Sequence, residues 1–353
     1  YHDMGLVGSY LETLYTRNTT LCLPPEDFAL RPVRWLELIS ESRATVCGGP
    51  DFAYRACAEK ISSDQLAGLD LSSWRVAFVG AERIRPETLQ GFAEKFSSCG
   101  FQNRAFFPCY GLGEATLIAA GGPPWTAPRI RSVSKTALTE NRIASPVSPD
   151  DSVCLCGSGQ TIPGTRVIIT NPESLTLLPE NRIGEVCLSG PSITNGYFQR
   201  PELNAELFRD VTVDGVTDRF LRTGDLGFLS EGELFIAGRM KEIIIVRGRN
   251  LYPEDIEQRA GASHPLLSPG SMVAFSVEQD GGEVLIIAAE LPRSLPEKVV
   301  LQDVIEGIRQ SVAAGFGVNP ETILLLRAAS IPRTSSGKPR RLILRTRFLD
   351  GSL

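Results

Sequence analysis

The sequence predicts an α/β unit followed by a smaller α+β unit. Three observations carry that reading. At 353 residues the chain exceeds what one hydrophobic core usually serves. Its first two thirds alternate short apolar runs with amphipathic helical stretches, the pattern of a sheet covered by helices. From about Gly238 onward, short β-branched runs, a hairpin signal and one longer helical stretch describe a second unit of ordinary domain size.

The elements follow in order. Pro32–Ser42 reads as a helix and Thr45–Cys47 as a short strand. Arg75–Glu82 (RVAFVGAE) is an apolar strand, and Pro86 then opens a helix whose Leu89, Phe92, Ala93 and Phe96 fall at i, i+3, i+4 and i+7. Gly122–Asp151 carries five prolines, many Ser and Thr and little periodicity, so it reads as an excursion between elements, in its plainest form a surface loop. Arg166–Ile169 and Gly184–Leu188 look like strands of an antiparallel subregion, separated by the turn-rich Asn171–Asn181, and Glu231–Glu233 looks like a hairpin turn. In the second unit Ile243–Val246 is a strand and Pro253, with Glu254 and Asp255, suits a helix start. Met272–Val277 and Val284–Leu291 flank Gln279–Gly282, a hairpin signal, before a helix over Leu301–Ala314 and a strand over Thr322–Leu326. No internal repeat is evident.

Composition narrows the function classes. With 42% apolar, 22% charged and 7% aromatic residues the chain is globular and soluble, and a formal net charge of -5 argues against general nucleic-acid binding. No run of 18 apolar residues occurs, so no membrane span is expected. Eight cysteines form no CxxC pair and only two histidines are present, so zinc-site spacing is absent; the cysteines read as buried thiols in a reducing, cytoplasmic setting. The chain opens on Tyr1 in the patterned YHDMGL, which reads as a piece cut inside a domain.

Four segments carry candidate chemistry. Tyr110-Gly-Leu-Gly-Glu-Ala-Thr116 puts a ring, two glycines, a carboxylate and a hydroxyl on one turn, the parts a nucleotide with Mg²⁺ requires; a glycine-rich turn with a capping Glu fits equally. Phe220-Leu-Arg-Thr-Gly-Asp-Leu-Gly227 sets Asp225 in a tight turn where two oxygens could accept from both ribose hydroxyls, or where it serves as an Asx-turn residue. Gly238–Glu257 clusters charge ahead of a strand and a helix, as a hinge or a solvated linker would. Ile331-Pro-Arg-Thr-Ser-Ser-Gly-Lys-Pro-Arg-Arg341 fails the phosphate-loop pattern at Pro332 and Pro339. Between Ile331 and Arg347 six Lys or Arg and no acid nevertheless give Lys338 a positive field on a flexible loop, or form a solvated basic tail.

In their order, YHDMGL, YGLGEAT, GEVCLSG, FLRTGDLG, GRMKEIIIVRGRNLYPEDIE and SSGK resemble the adenylate-forming superfamily of acyl-CoA synthetases, luciferases and peptide-synthetase adenylation domains. YHDMGL, YGLGEATL and RGRNLYPEDIE are most similar to fatty acyl-AMP ligases, and the resemblance runs over essentially the whole chain. It implies the later part of a large α/β AMP-binding domain over residues 1–237, with 122–151 a family-specific insertion, and a small mobile α+β C-terminal domain over 238–353. It also implies that Tyr110 stacks on adenine beside Gly111, Glu114 binds Mg²⁺, Asp225 holds the ribose, and His2, after the aromatic Tyr1, lies near the acyl carboxylate. Arg239 would approach the nucleotide, Lys241 would be the hinge and Lys338 the catalytic lysine.

Two departures stand out. Gly113 occupies the place where the superfamily often has Thr, and the Ser/Thr/Gly-rich phosphate loop that precedes YHDMGL in relatives is not in this sequence, so the chain by itself is expected to be inactive. The implied activity is activation of a fatty acid by ATP to acyl-AMP, with release of pyrophosphate, for transfer to the phosphopantetheine of an acyl carrier protein in polyketide, peptide or lipid synthesis. Alternatives are a fatty acyl-CoA ligase and, in another class, a noncatalytic nucleotide-binding or docking remnant.

Overall fold

The computed structural model describes residues 2–246, 248–279, 282–296, 298–334 and 337–353. By its contacts the chain divides into one unit running to Ala137 and resuming over Arg142–Ala237, and a second comprising Gly238–Leu353 with Leu138–Asn141.

In the first unit β1 (Val46–Gly49), β2 (Val76–Val79) and β3 (Phe106–Gly111) are parallel neighbours, and β4 (Ile118–Gly121) turns back antiparallel to β3. The connections are the helices Asp51–Lys60 and Pro86–Phe96, as the strand-then-helix pattern requires. Their inward residues form an aromatic core in which Tyr54, Trp74, Phe92, Phe96 and Phe106 are fully buried. Tyr54 stacks on Trp74 with centroids 6.1 Å apart and meets Phe92 and Phe106 edge-on, contacts worth about 0.5–1.5 kcal/mol each beyond their burial. The one polar tip of this cluster that Tyr54 carries is satisfied, its hydroxyl donating to the Phe78 carbonyl at 2.9 Å.

The segment expected to be an irregular loop is ordered. It contains β5 (Ile130–Ser134), which pairs antiparallel with β6 (Ser152–Cys156), and a short helix over Lys135–Thr139. Trp125 fastens its start to the first unit, for the guanidiniums of Arg75 and Arg104 lie over its ring at 4.2 and 4.4 Å. The strand was hidden in the sequence because its partner lies some twenty residues away and its apolar residues do not alternate.

β7 (Gln160–Thr161) extends the first sheet beyond β4. A second sheet contains β8 (Arg166–Thr170), β9 (Gly184–Ser189), β10 (Phe208–Val213), β11 (Val216–Ser230) and β12 (Glu233–Arg239), in the order β10-β11-β9-β8 with β12 also on β11. The expected hairpin turn joins β11 to β12: Glu231 and Gly232 both have positive φ, at 51° and 74°, and their N–H groups donate to the Glu180 carboxylate.

The second unit begins with the ribbon β13 (Ile244–Val246) and β14 (Arg249–Leu251). Helix Pro253–Gly261 starts where Pro253 predicts. β15 (Met272–Gln279), β16 (Gly282–Glu290) and β17 (Thr322–Leu326) make a three-stranded sheet in that order, and helix Leu301–Phe316 buries Val304, Ile308 and Val312. Gln279 and Gly282 pair across the expected hairpin, whose Asp280 and Gly281 lie outside the described residues, as do Tyr1, Arg247, Ser335 and Ser336 of the quoted motifs.

The basic stretch after Ile331 is not a solvated tail. Arg341–Leu349 is a helix that packs Leu344 and Phe348 against the sheet, and Arg341 is buried. Its guanidinium donates to both oxygens of buried Glu257, at 3.0 and 2.8 Å, and to Glu242 at 2.6 Å, with Glu254 at 3.4 Å. Burial works against that charge, but the carboxylates of Glu257, Glu254 and Glu242 outweigh it and hold Arg341 above its ordinary pKa.

The cysteines only partly follow expectation. Cys57, Cys99, Cys156 and Cys187 are buried, whereas Cys22 and Cys154 are exposed, and all eight are unbridged. Among the described residues no helix is long and apolar enough to cross a membrane.

Asp51, 2% exposed, receives the Arg85 N–H at 2.8 Å and the Thr88 hydroxyl at 3.0 Å at the start of helix Pro86–Phe96, while Glu82 receives the Phe52 N–H at 2.7 Å. Burial pushes Asp51 up to about 7, so the folded state holds its proton more tightly than the unfolded chain does. Its contribution to stability is therefore complete below the unfolded value near 3.8 and is lost as pH rises through about 7. The expected slope approaches about 1.4 kcal/mol per pH unit between these values, and Asp51→Asn should flatten it. Denaturant unfolding at pH 5 and pH 7 measures this, and identical pH dependence in variant and wild type would contradict it.

Candidate active site

The site is built outward from Glu185, which stands near the start of β9 and is 1% exposed. A carboxylate there must be paired, and β11 supplies the partners. Arg222 donates from Nε at 2.7 Å and lies with Nη2 at the same distance from the same oxygen, while the Gly224 N–H donates to the other oxygen at 3.2 Å. Meeting Glu185 with both groups distorts the strand. From Arg222 to Leu226, β11 takes four steps while β9 takes two, from Cys187 to Glu185. Gly224 adopts φ +71°, and Thr223 donates to the Val186 carbonyl at 2.7 Å while receiving the Asp225 N–H at 3.1 Å. Asp225 therefore sits in a bulge of a long strand, not in the isolated tight turn that its Thr-Gly-Asp context suggested.

The bulge turns Asp225 inward, where it is 6% exposed and receives the Tyr110 hydroxyl at 2.7 Å. Tyr110 comes from the other sheet, at the end of β3. These two residues, 115 positions apart, are the point at which the two candidate segments meet.

After Tyr110 the chain folds back on itself. A Cβ at Gly111 would stand 1.7 Å from the Leu117 carbonyl oxygen, so only glycine permits this approach. Glu114 lies in the single turn Gly113–Ala115, and Thr116 follows at φ +68°, a conformation that its hydroxyl fixes by donating to the Ser192 carbonyl at 2.8 Å. The Glu114 carbonyl receives the Thr194 N–H at 2.7 Å, and its carboxylate receives the Tyr197 hydroxyl in a short hydrogen bond. Burial, reinforced by Glu114, pushes the Tyr197 phenol up to about 12, so it remains a donor at neutral pH.

Among the described residues no cluster of three or more His, Cys, Asp or Glu could hold a metal ion. The donor set at the turn is instead one carboxylate among hydroxyls and carbonyls. That suits Mg²⁺, which keeps several waters and is commonly bound through one or two carboxylates with substrate phosphates completing its shell.

The remaining candidates lie elsewhere. His2 is exposed and caps the one-turn helix Asp3–Gly5, its Nδ1 receiving the Met4 N–H at 3.2 Å and lying 2.6 Å from Asp3. In the second unit Arg239 ends β12 and Lys241 lies in the exposed single turn Met240–Glu242. Lys338 is half-buried in a loop where its N–H reaches the Thr334 hydroxyl at 3.1 Å and its carbonyl receives the Thr334 N–H at 2.8 Å. Arg333 braces that loop, donating to the Gly337 carbonyl and to Glu290, whose other oxygen receives the Ile331 N–H.

Sequence reasoning missed Glu185, Arg222, Thr223 and Tyr197 as members of the site. Glu185 stood within GEVCLSG, and Arg222 and Thr223 stood within FLRTGDLG, but only pairing of β9 with β11 gives them a task. Tyr197, in the turn-rich stretch after β9, carried no periodic signal.

The comparisons agree on one family. A family model described as AMP-binding enzyme matches residues 1–198. The medium-chain-fatty-acid–[acyl-carrier-protein] ligase JamA of Moorena producens is 40% identical over 356 residues, covering 100% of this chain and 60% of the relative. The long-chain-fatty-acid–AMP ligase FadD26 of Mycobacterium tuberculosis is 35% identical, covering 97% of this chain and 59% of the relative. A chain solved in a study of fatty acyl-adenylate ligases from E. coli and L. pneumophila superposes with a TM-score of 0.89 at 35% identity, over 100% of this chain and 61% of that one. The chain thus spans about three fifths of the length of the curated relatives it matches.

Because Glu185 is buried against the half-buried Arg222, removing either one takes away the other's opposite charge. Glu185→Ala should cost about 3–5 kcal/mol. The Glu185→Ala/Arg222→Ala double variant should cost less than the sum of the single changes. Chemical unfolding of the three variants measures the coupling, and strict additivity would remove the pair as the fastening of the bulge.

Proposed function

The chain belongs to the AMP-binding enzyme family, and on that premise we propose that the protein activates a fatty acid with ATP, forming acyl-AMP and pyrophosphate, and passes the acyl group to the phosphopantetheine thiol of an acyl carrier protein. The observation that carries this reading is the Tyr110–Asp225 hydrogen bond beside the Glu114 turn. It joins an aromatic ring, a ribose-type acceptor and a metal-type carboxylate in one unit.

In this reaction the fatty-acid carboxylate attacks the α-phosphorus of ATP, and the bond to the pyrophosphate leaving group breaks. The protein's task is to hold two anions together and offset the charge that develops. The Tyr110 ring stacks on adenine, with Gly111 leaving the main chain open beside it, and Asp225 accepts from the ribose hydroxyls. Glu114 is the residue that would hold a Mg²⁺ ion, which would offset phosphate charge when bound. Lys338, an ammonium on a long stem, bridges the acyl oxygen and the α-phosphate during adenylation. Arg239 approaches the nucleotide, His2 lies toward the acyl carboxylate, and rotation about Lys241 withdraws Lys338 once acyl-AMP has formed.

We assign 1–237 to the large AMP-binding domain and 238–353 to the small mobile domain. We take 122–151 as the segment that favours transfer to a carrier over transfer to free CoA, a reading supported by the fastening of its first residues through Trp125. A cytoplasmic setting accords with eight unbridged cysteines.

The test is hydroxylamine trapping of acyl-AMP by the full-length protein with ATP and a fatty-acid panel, followed by transfer to a carrier or to CoA. Acyl hydroxamate should form, with little acyl-CoA; efficient CoA transfer would move the acyl-CoA ligase reading ahead. Lys338→Ala should lower adenylate formation by about 10²–10³ with ATP binding much less affected. A near-normal rate in that variant would remove Lys338 from the chemistry. Asp225→Ala should weaken AMP by roughly 1.5–3 kcal/mol, the value of a charged hydrogen bond; unchanged affinity in calorimetric titration would return Asp225 to a purely structural place in the bulge.

A further inference from the structure

The loop after β9 is connected to the Glu114 turn more closely than its composition suggests. Three bonds cross between them: Thr116 hydroxyl to the Ser192 carbonyl, Thr194 N–H to the Glu114 carbonyl, and Tyr197 hydroxyl to the Glu114 carboxylate. The first two fix the main chain of the turn, and the third acts on its functional group. A glutamate on such a turn loses side-chain freedom when it is held in one conformation. Tyr197 is a rigid donor that meets part of that ordering before any ligand arrives.

Tyr197 is itself held. Its N–H donates to Asn204 Oδ1 at 2.7 Å, and Asn204 Nδ2 donates back to the Tyr197 carbonyl at 2.9 Å, a two-bond clamp from helix Pro201–Leu207. Asn204 can approach this closely because residue 196 is glycine: at φ +148° its missing Cβ would stand 2.9 Å from the Asn204 amide. The ring packs edge-on against Phe208 with centroids 6.4 Å apart. A tyrosine needed only for packing could turn its hydroxyl to water, since this one is only half-buried; here it engages Glu114 instead.

We propose that Tyr197, clamped by Asn204, is a positioning residue for Glu114, occupying one carboxylate oxygen so that the other is presented to the divalent cation that accompanies ATP. This rests on the reading of Glu114 given above. Hydrogen-bond partners of metal-binding carboxylates orient the ligand, and their loss typically costs 10–100-fold in metal affinity. Tyr197→Phe keeps the ring and removes only the donor.

The experiment is calorimetric titration of the full-length protein with ATP over a series of Mg²⁺ concentrations, and with AMP without Mg²⁺, for wild type, Tyr197→Phe and Asn204→Ala. The Mg²⁺ concentration giving half the full gain in ATP affinity should rise about tenfold in Tyr197→Phe, with AMP affinity unchanged. Asn204→Ala should shift it in the same direction by less. Wild-type Mg²⁺ dependence in Tyr197→Phe overturns the proposal, as does an equal loss of AMP affinity, which would mean general damage to the site. If wild type itself gains no ATP affinity from Mg²⁺, the metal role of Glu114 falls and the proposal falls with it, a result distinct from failure of the variant alone.

Discussion

A carboxylate in a protein interior has to be paired, and the pairing of Glu185 governs the first unit's functional face. Glu185 sits among buried residues of β9, so its partners must come from the neighbouring strand. Arg222 and the Gly224 N–H both reach it where β11 takes two extra residues between Arg222 and Leu226. That bulge delivers Asp225 to Tyr110. A straight strand would satisfy its own ladder but strand the carboxylate, at a cost of several kcal/mol. The irregularity is thus the cheaper arrangement, and the site inherits its geometry from it.

The second unit applies the same constraint to a cation. Arg341 enters the interior at the start of a helix, and three carboxylates gather on it: Glu242 beside Lys241, and Glu254 and Glu257 from helix Pro253–Gly261. Glu257 also receives the Ala274 N–H of β15 at 2.9 Å, so the cluster ties the beginning, middle and end of the unit together. The loop carrying Lys338 is then held on both sides, by Arg341 after it and by the Arg333–Glu290 contact before it. On the proposed mechanism, Glu242 and Lys338 move as parts of one body, which confines the pivot to Lys241 and the residues before it.

The two anchored regions are fixed by different kinds of contact. Around Glu114 a strained Thr116, an obligatory Gly111 and the Tyr197 contact define one carboxylate conformation. Lys338 is placed through main-chain and hydroxyl contacts to Thr334, which fix the loop.

Local pattern was enough for many of the elements. Pro86 and the i, i+3, i+4, i+7 apolar set gave the helix Pro86–Phe96, Glu231-Gly232 gave the hairpin, and Thr322–Leu326 gave the last strand, since each depends on residues a few positions apart. The ordered motifs likewise marked Tyr110, Glu114, Asp225 and Lys338 as candidates. The β5–β6 pair, the bulge at Asp225, the burial of Arg341 and the Tyr197–Glu114 bond could not be read that way, because each joins residues from about 20 to more than 80 positions apart. By itself the sequence determined those helices and strands whose signal is local, and some of the side chains that could do chemistry. Only the tertiary structure decided which of them meet, because a buried charge selects its partner by distance and desolvation, neither of which is encoded in spacing along the chain.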